Sequence, residues 1–312
     1  MTSHSILPIM IRLSLVRLAR AGILAALLAL LVLPAAARAQ SVRHVPAQHP
    51  TITAAIAAAV DGDSIVIASG TYRETLVLNG KAITIISQAA RAGAARAADS
   101  TIIDGGGAPR VVLVDRTQRK PVALVGLTIQ NGDDCIYGHG IFHLLRSRIT
   151  GCTDGIDYDR TGGGILRGNV FEGNRDDGID LDHDVRALIE HNLIRNNNGD
   201  GIEIRLQPYT GEVAESVIRY NAIHGNREDG IQIIDYPGVA KRRLVLVGNV
   251  ISDNGQAGIG CMSDAVTRED FRAAVIPEPI VLEGNLLRGH QVELSCGGDN
   301  ARQRAAITPA AN

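Results

Sequence analysis

The chain has 312 residues, a formal net charge of −2, 34 Gly, four Cys, no Trp and only three Phe and six Tyr. A faintly acidic chain lacks the basic footprint of a nucleic-acid binder, and its near absence of large aromatics argues against the ring platforms on which neutral sugars stack. Four cysteines are too few to be the framework of a disulfide-built scaffold.

Residues 1–39 read as an export signal. Arg12, Arg17 and Arg20 precede an apolar run from Ala21 to Leu33, and Ala37-Arg38-Ala39 supplies the small-x-small cleavage pattern. The run is shorter than a membrane span requires. Removal of the leader, with its four Arg, takes the formal charge from −2 to −6. The mature part, residues 40–300, is expected to be one elongated domain, with residues 301–312 a frayed tail.

Thr51 to Ala59 has the composition and apolar spacing of a short helix, ended by Asp61-Gly62-Asp63. Strands are expected at Ile65-Val66-Ile67, Leu76-Val77-Leu78 and Ile83 to Ile86, then from Thr101 through Ile129. Arg91 to Ala98 reads as a surface loop or short helix, and Thr267 to Ala274 as one or two helical turns. The last clear turn is Ile280-Val281-Leu282 with Asn285-Leu286-Leu287.

From Ser147 to Ile259 one short pattern recurs: Gly-Asn-Val, then Gly-Asn, then Asp-Gly-Ile. Its fullest copy is Gly168-Asn169-Val170, Gly173-Asn174, Asp177-Gly178-Ile179. The Ile positions 136, 156, 179, 202, 231 and 259 are 20, 23, 23, 29 and 28 residues apart. A period in the low twenties with short β-branched runs broken by Gly and Asn predicts one turn of a parallel β-helix per repeat. The fold class is therefore all-β, a single parallel β-helix solenoid with an N-terminal capping helix, and the longer intervals are loops at one corner. Asn169, Asn192, Asn221, Asn249 and Asn285 are expected to form a ladder of side-chain amides. Asp154, Asp177, Asp200 and Asp229 read as turn residues. Cys135 and Cys152 are close enough to sit on neighbouring turns, with pairing left open.

Thr51-Ile52-x-x-Ala55-Ile56, Gly62-Asp63, Gly70-Thr71-Tyr72-x-Glu74 and Ile83-Thr84-Ile85 resemble the opening of exported right-handed parallel β-helix proteins of the pectate-lyase-like superfamily, pectin methylesterases included. With the later repeats the resemblance spans roughly Val45 to Leu287. The catalytic Asp and Gln motifs of pectin methylesterases have no counterpart here. Gly178-Ile179-Asp180-Leu181-Asp182-His183-Asp184 is similar, with an extra residue and no Pro, to the Asp-Pro-His-acid signature of alginate epimerases.

Aligning the turns on their inward Ile residues makes Tyr158, Leu181, Ile204 and Ile233 a second inward column. Two outward columns result, Tyr137, Asp157, Asp180, Glu203, Gln232 and His139, Asp159, Asp182, Arg205, Ile234. Their acids form a grid spaced about 4.8 Å between turns and about 6.6 Å along a strand. Carboxylates that close need a cation or a shared proton, and an all-oxygen cluster suits Ca²⁺. The metal set is expected to be Asp157, Asp159, Asp180, Asp182 and Glu203. Arg205 and His183 border it as catalytic candidates, and Tyr137, His139, Lys241 and Arg242 as substrate-binding ones, the last two on a loop. Cation and bases together fit β-elimination from an acidic polysaccharide, which Ca²⁺-dependent pectate-lyase-like enzymes perform; the resemblance points the same way. The alternatives are a non-catalytic β-helix scaffold or carbohydrate-binding protein, and a uronan epimerase or glycoside hydrolase.

Overall fold

The computed structural model describes residues 40–236, 240–263, 280–296 and 308–309. The leader, the helix expected at 267–274 and most of the tail lie outside the described residues. From Ser41 onward the chain forms one compact unit.

Every strand pairing is parallel, as in a coil whose turns stack in one direction. The first face is a ten-stranded sheet running from Val42–Val45 to Ile280–Glu283. A second face is carried by short strands such as Arg148–Thr150, Val170–Glu172 and Leu193–Arg195. The third holds Asp154–Tyr158, Ile179–Leu181, Ile202–Leu206, Ile231–Asp235 and Ala257–Ser263. Two long strands, Thr101–Val114 and Thr128–Gly138, bend around a corner and serve both the second and third faces. They join these faces into one hydrogen-bonded network, which is a right-handed coil and not a barrel of side-by-side staves.

Each face turns at least one apolar column inward. On the third face Ile136, Ile156, Ile179, Ile202, Ile231 and Ile259 are in register and buried, as the repeat alignment predicts. On the second, Ile129, Ile149, Phe171, Ile194, Ile223, Ile251 and Leu287 do the same, and on the first Leu144, Leu166, Ile189, Ile218, Leu246 and Leu282. Each buried side chain contributes roughly 1.5–3 kcal/mol, but only once its neighbours above and below are in place.

The expected Asn ladder is present. The Oδ1 of Asn192 accepts from the backbone N–H and the Nδ2 of Asn169 at 2.9 and 3.0 Å, and the pattern repeats through Asn221, Asn249 and Asn285. A second ladder, Asn174, Asn197, Asn226 and Asn254, runs along the next corner in the same way.

The helix Ile52–Ala58 caps the N-terminal end and buries Ile52, Ala55 and Ile56. Thr51 caps it by accepting from the Ala54 N–H. The carboxylate of Glu74 accepts from the Ile52 and Thr53 N–H groups, and Lys81 donates to the Ile56 and Ala57 carbonyls at the far end, each charge matched to the helix dipole. Where the sequence suggests a loop or helix at 91–98, the structure has a helical turn Gln88–Arg91 and a 3-10 turn Ala97–Ser100. Both cysteine pairs are bonded, Cys135 to Cys152 and Cys261 to Cys296. The second ties the strand Val292–Leu294 onto the third face, extending it by one more strand.

One expectation is corrected by the fold. Lys241-Arg242-Arg243 is not a loop but part of the strand Ala240–Val247 on the first face. Strand alternation exposes Lys241 and Arg243 and turns Arg242 into the interior, where it is 1% exposed.

Candidate functional site

The third face brings the predicted grid together. Asp157 pairs with Asp180, Asp180 with Glu203 and Glu203 with Gln232, with Tyr137 one turn before Asp157. The Asp residues before each Gly-Ile run beside this column as a further ladder. Each accepts, through Oδ1, from a backbone N–H one turn on: Asp177 to Asp154 at 3.2 Å, and Asp200, Asp229 and Ala257 to the Asp before each at 2.6 Å. The turn chemistry expected of them is present, but Asp177, Asp200 and Asp229 are also buried against the grid.

Burial is the main influence on these acids. It raises Asp157 to about 7, with Asp134 and Asp182 adding to it, and Glu203 to about 7. It raises Asp134 to about 6, with Asp154 next to it. Burial lifts Asp180 well above the usual carboxylate range despite the nearby Arg205, and lifts Asp177 and Asp200 likewise. Beyond burial, hydrogen bonding to Glu203 and the Glu203 charge add to the lift of Asp177.

Arg205 is the cation of this grid. Its guanidinium contacts Asp180, lies 3.5 Å from Asp182 Oδ1, and pairs with both Glu203 oxygens at 2.7 and 2.9 Å. It is 29% exposed, so three carboxylates hold a side chain that the sequence marks as a catalytic candidate. Among the described residues Asp159 Oδ1 and Asp180 Oδ1 are each buried without a hydrogen-bond partner. Oxygens of Asp157, Asp180 and Asp182 lie within 4.8 Å of one another, a donor set suited to a hard cation.

Toward earlier turns the grid gives way to a different group. Asp159 is approached by three side chains: His183 Nδ1 at 3.1 Å, His139 Nδ1 at 3.7 Å and the Tyr137 hydroxyl, which donates at 3.3 Å. His183 sits at φ 47°, a left-handed conformation that is uncommon for this residue and turns the ring toward Asp159. Burial, with Asp159 and Asp157 nearby, pushes the Tyr137 phenol up to about 12. The Arg110 guanidinium lies 3.6 Å from the centre of the Tyr137 ring.

Beyond His139 opens a cleft of about 520 Å³ lined by Arg110, Arg116, Arg119, Arg160 and Asp115. These arginines are absent from the set read from the sequence. The register holds the signal for Arg110: Leu113 pairs with Tyr137 and Arg110 with Asp134, so extending the repeat alignment one turn earlier reaches it. Arg242, by contrast, leaves the substrate-binding set. It donates to the Leu181 and Arg205 carbonyls and to Ser216 Oγ, each at 3.3 Å, beneath the grid. Burial lowers it to about 10, against the pull of Asp182, Asp184 and Asp180. Lys241 is exposed on the strand.

A family model described as a right-handed β-helix region matches residues 134–272. No curated protein sequence matches the chain. Among solved structures, a pectin methylesterase from carrot is 14% identical, with a TM-score of 0.57 and 88% of each chain covered. The pectate lyase Pel9A is 14% identical, with a TM-score of 0.50 over 86% of this chain and 68% of that one. The A-module of the mannuronan C-5 epimerase AlgE4 from Azotobacter vinelandii is 16% identical, with a TM-score of 0.50 and 83% of each chain covered. At such identities the likeness speaks for the coil and not for the chemistry it carries. The parallel register, the stacked asparagines, the family model and these neighbours agree that the chain folds as a right-handed parallel β-helix.

Proposed function

We propose that the protein binds an acidic polysaccharide and cleaves it by β-elimination where the arginine cleft meets Tyr137, His139, Asp159 and His183. The observation that carries the reading is this adjacency of four guanidinium groups to side chains able to move protons. A uronate carboxylate held among Arg110, Arg116 and Arg119 loses charge density, which acidifies the proton on the neighbouring carbon. A histidine beside Asp159 takes that proton. The electron pair forms a carbon–carbon double bond as the bond to the next sugar's oxygen breaks, and that oxygen takes a proton from Tyr137. A phenol raised to about 12 is neutral at physiological pH and suits the role of acid better than that of base.

The unpartnered Asp180 Oδ1 and the all-oxygen set of Asp157, Asp180 and Asp182 fit Ca²⁺, and Asp159 and Glu203 border it. When bound, the cation supplies further neutralisation of the sugar carboxylate. Arg205 then acts as the grid's internal counter-charge. The solved neighbours named above are enzymes of pectin, pectate and mannuronan, which supports an acidic polymer here. Export to an oxidising compartment is the setting in which two disulfides persist. No helix among the described residues is long and apolar enough to cross a membrane.

Epimerisation is the second reading, favoured by one observation: two histidines lie beside Asp159, at 3.1 and 3.7 Å, so that a proton leaves by one and returns by the other. Incubation of the purified protein with polygalacturonate and alginate, with Ca²⁺ and with chelator, tests both. An elimination gives the ultraviolet absorbance of a new conjugated double bond, and an epimerisation changes sugar configuration without it. Neither signal on either polymer would favour a scaffold.

A further inference from the structure

The corner between the first and second faces carries residues that the proposed reaction does not use. Each turn there bends through one left-handed residue, and glycine fills the position at Gly126, Gly168, Gly248 and Gly284, with φ between 60° and 67°. On three other turns the chain places Arg146, His191 and Tyr220 there, at φ 50°, 55° and 56°. Side chains with a Cβ meet a steric penalty in this conformation that glycine avoids, and bulky ones seldom adopt it. All three are exposed, Tyr220 by 51%. The His191 and Tyr220 rings stack with centroids 5.4 Å apart, and Gly248 makes room beside them, since a Cβ there would come within 2.6 Å of Tyr220.

The flanks of this ridge are rich in arginine. Arg148 and Arg195 both pair with Glu172 at 2.7 Å, and Arg167 and Arg219 both pair with Glu190. Arg146 has no ion pair among the described residues. The strip therefore holds three positive charges in excess, on a molecule whose formal charge is −2. A cleft of about 290 Å³ opens beside it, lined by Arg96, Arg146, Arg148 and Arg195 among others. Stability alone would favour glycine at the bends and a third carboxylate among the guanidiniums, and the sequence has neither.

We propose that this corner is a second, non-catalytic holding site for an extended polyuronate chain. Paired guanidiniums grip the sugar carboxylates, and the stacked rings offer an apolar edge to the chain between them. Only the polymer class rests on the function proposed above. The ridge lies on a different corner from the third-face site, so holding and cleavage are separable.

The test measures retardation of the full chain in native gels cast with polygalacturonate or alginate, against dextran as a neutral control. Tyr220→Gly places at the bend the residue that neighbouring turns use, so its thermal midpoint should not fall, while affinity for both polyuronates weakens about tenfold. Arg146→Glu, at an exposed and unpaired position, should weaken binding by a similar factor and flatten its salt dependence. Elimination from a short oligouronate should be unchanged in both variants, which separates this proposal from the reading of the third face. Wild-type-like retardation in both variants, no polyuronate binding by the wild type, or an equal loss on dextran would each overturn it.

Discussion

Arg205 and Arg242 are both enclosed, and their surroundings give them different work. Arg205 is ringed by Asp180, Asp182 and Glu203, which hold its proton firmly even though burial opposes the charge. Removing one member of a partly buried charge set leaves the others uncompensated, at a cost of roughly 3–5 kcal/mol. Arg205→Met should therefore lose about 3 kcal/mol in denaturant unfolding at about pH 8 with chelator, and much less at about pH 5, where the acids protonate instead. Added Ca²⁺ should restore part of the loss; an equal loss at both pH values would argue that the grid is not charged. Arg242 meets two carbonyls and one hydroxyl at 3.3 Å and fills interior volume. Arg242→Ala should cost about 3–5 kcal/mol and Lys241→Ala less than about 0.5 kcal/mol by the same measurement. Equal, small effects would return both residues to the surface.

At the scale of the turn, the asparagine ladders tie each coil to the next. Asn192 donates to the Leu166 carbonyl and to Asn221 Oδ1, and accepts twice from Asn169. Asn192→Ala strands buried polar groups on both neighbouring turns and should cost about 2–3 kcal/mol, whereas Asn198→Ala, at an exposed position, should cost less than about 0.5 kcal/mol. This layer was legible in the sequence because Ile, Asn and Gly recur with the coil's own period, and strand alternation then assigns inside and outside. The same logic located the acid grid. It failed at Arg242, because a Lys-Arg-Arg run has the composition of a solvated loop and nothing local reports that the strand turns its middle residue inward. Arg110 escapes it because the turn holding Thr101–Val114 lacks the Asp-Gly-Ile signature, so nothing in the repeat carries the register back to that turn. The pairing of Asp159 with two histidines depends on the backbone bend at His183, which no spacing rule contains.

Across the whole molecule, charge is segregated: carboxylates crowd the third face, and arginines gather in the cleft before it and along another corner. Acids raised by burial bind protons more tightly in the folded than in the unfolded chain. Their stabilising contribution is thus full below the unfolded value near 3.8 and is lost as pH rises through the folded values, about 6 for Asp134 and about 7 for Asp157. The thermal midpoint in chelator should fall between about pH 4 and about pH 7, and Ca²⁺ should flatten that fall by holding the acids deprotonated. A midpoint that instead rises over this range would mean the acids are ionised and satisfied in the fold.

The proposed reaction begins with removal, at the third face, of the proton beside a sugar carboxylate. Elimination and epimerisation share that step, and a scaffold lacks it. The direct measurement is proton NMR of polygalacturonate and alginate incubated with the protein in heavy water with Ca²⁺. One polymer should gain deuterium at the carbon beside its carboxylate, or unsaturated ends, and His183→Ala with His139→Ala should abolish the change. Full retention of that proton on both polymers, or a wild-type rate in the double variant, would contradict it.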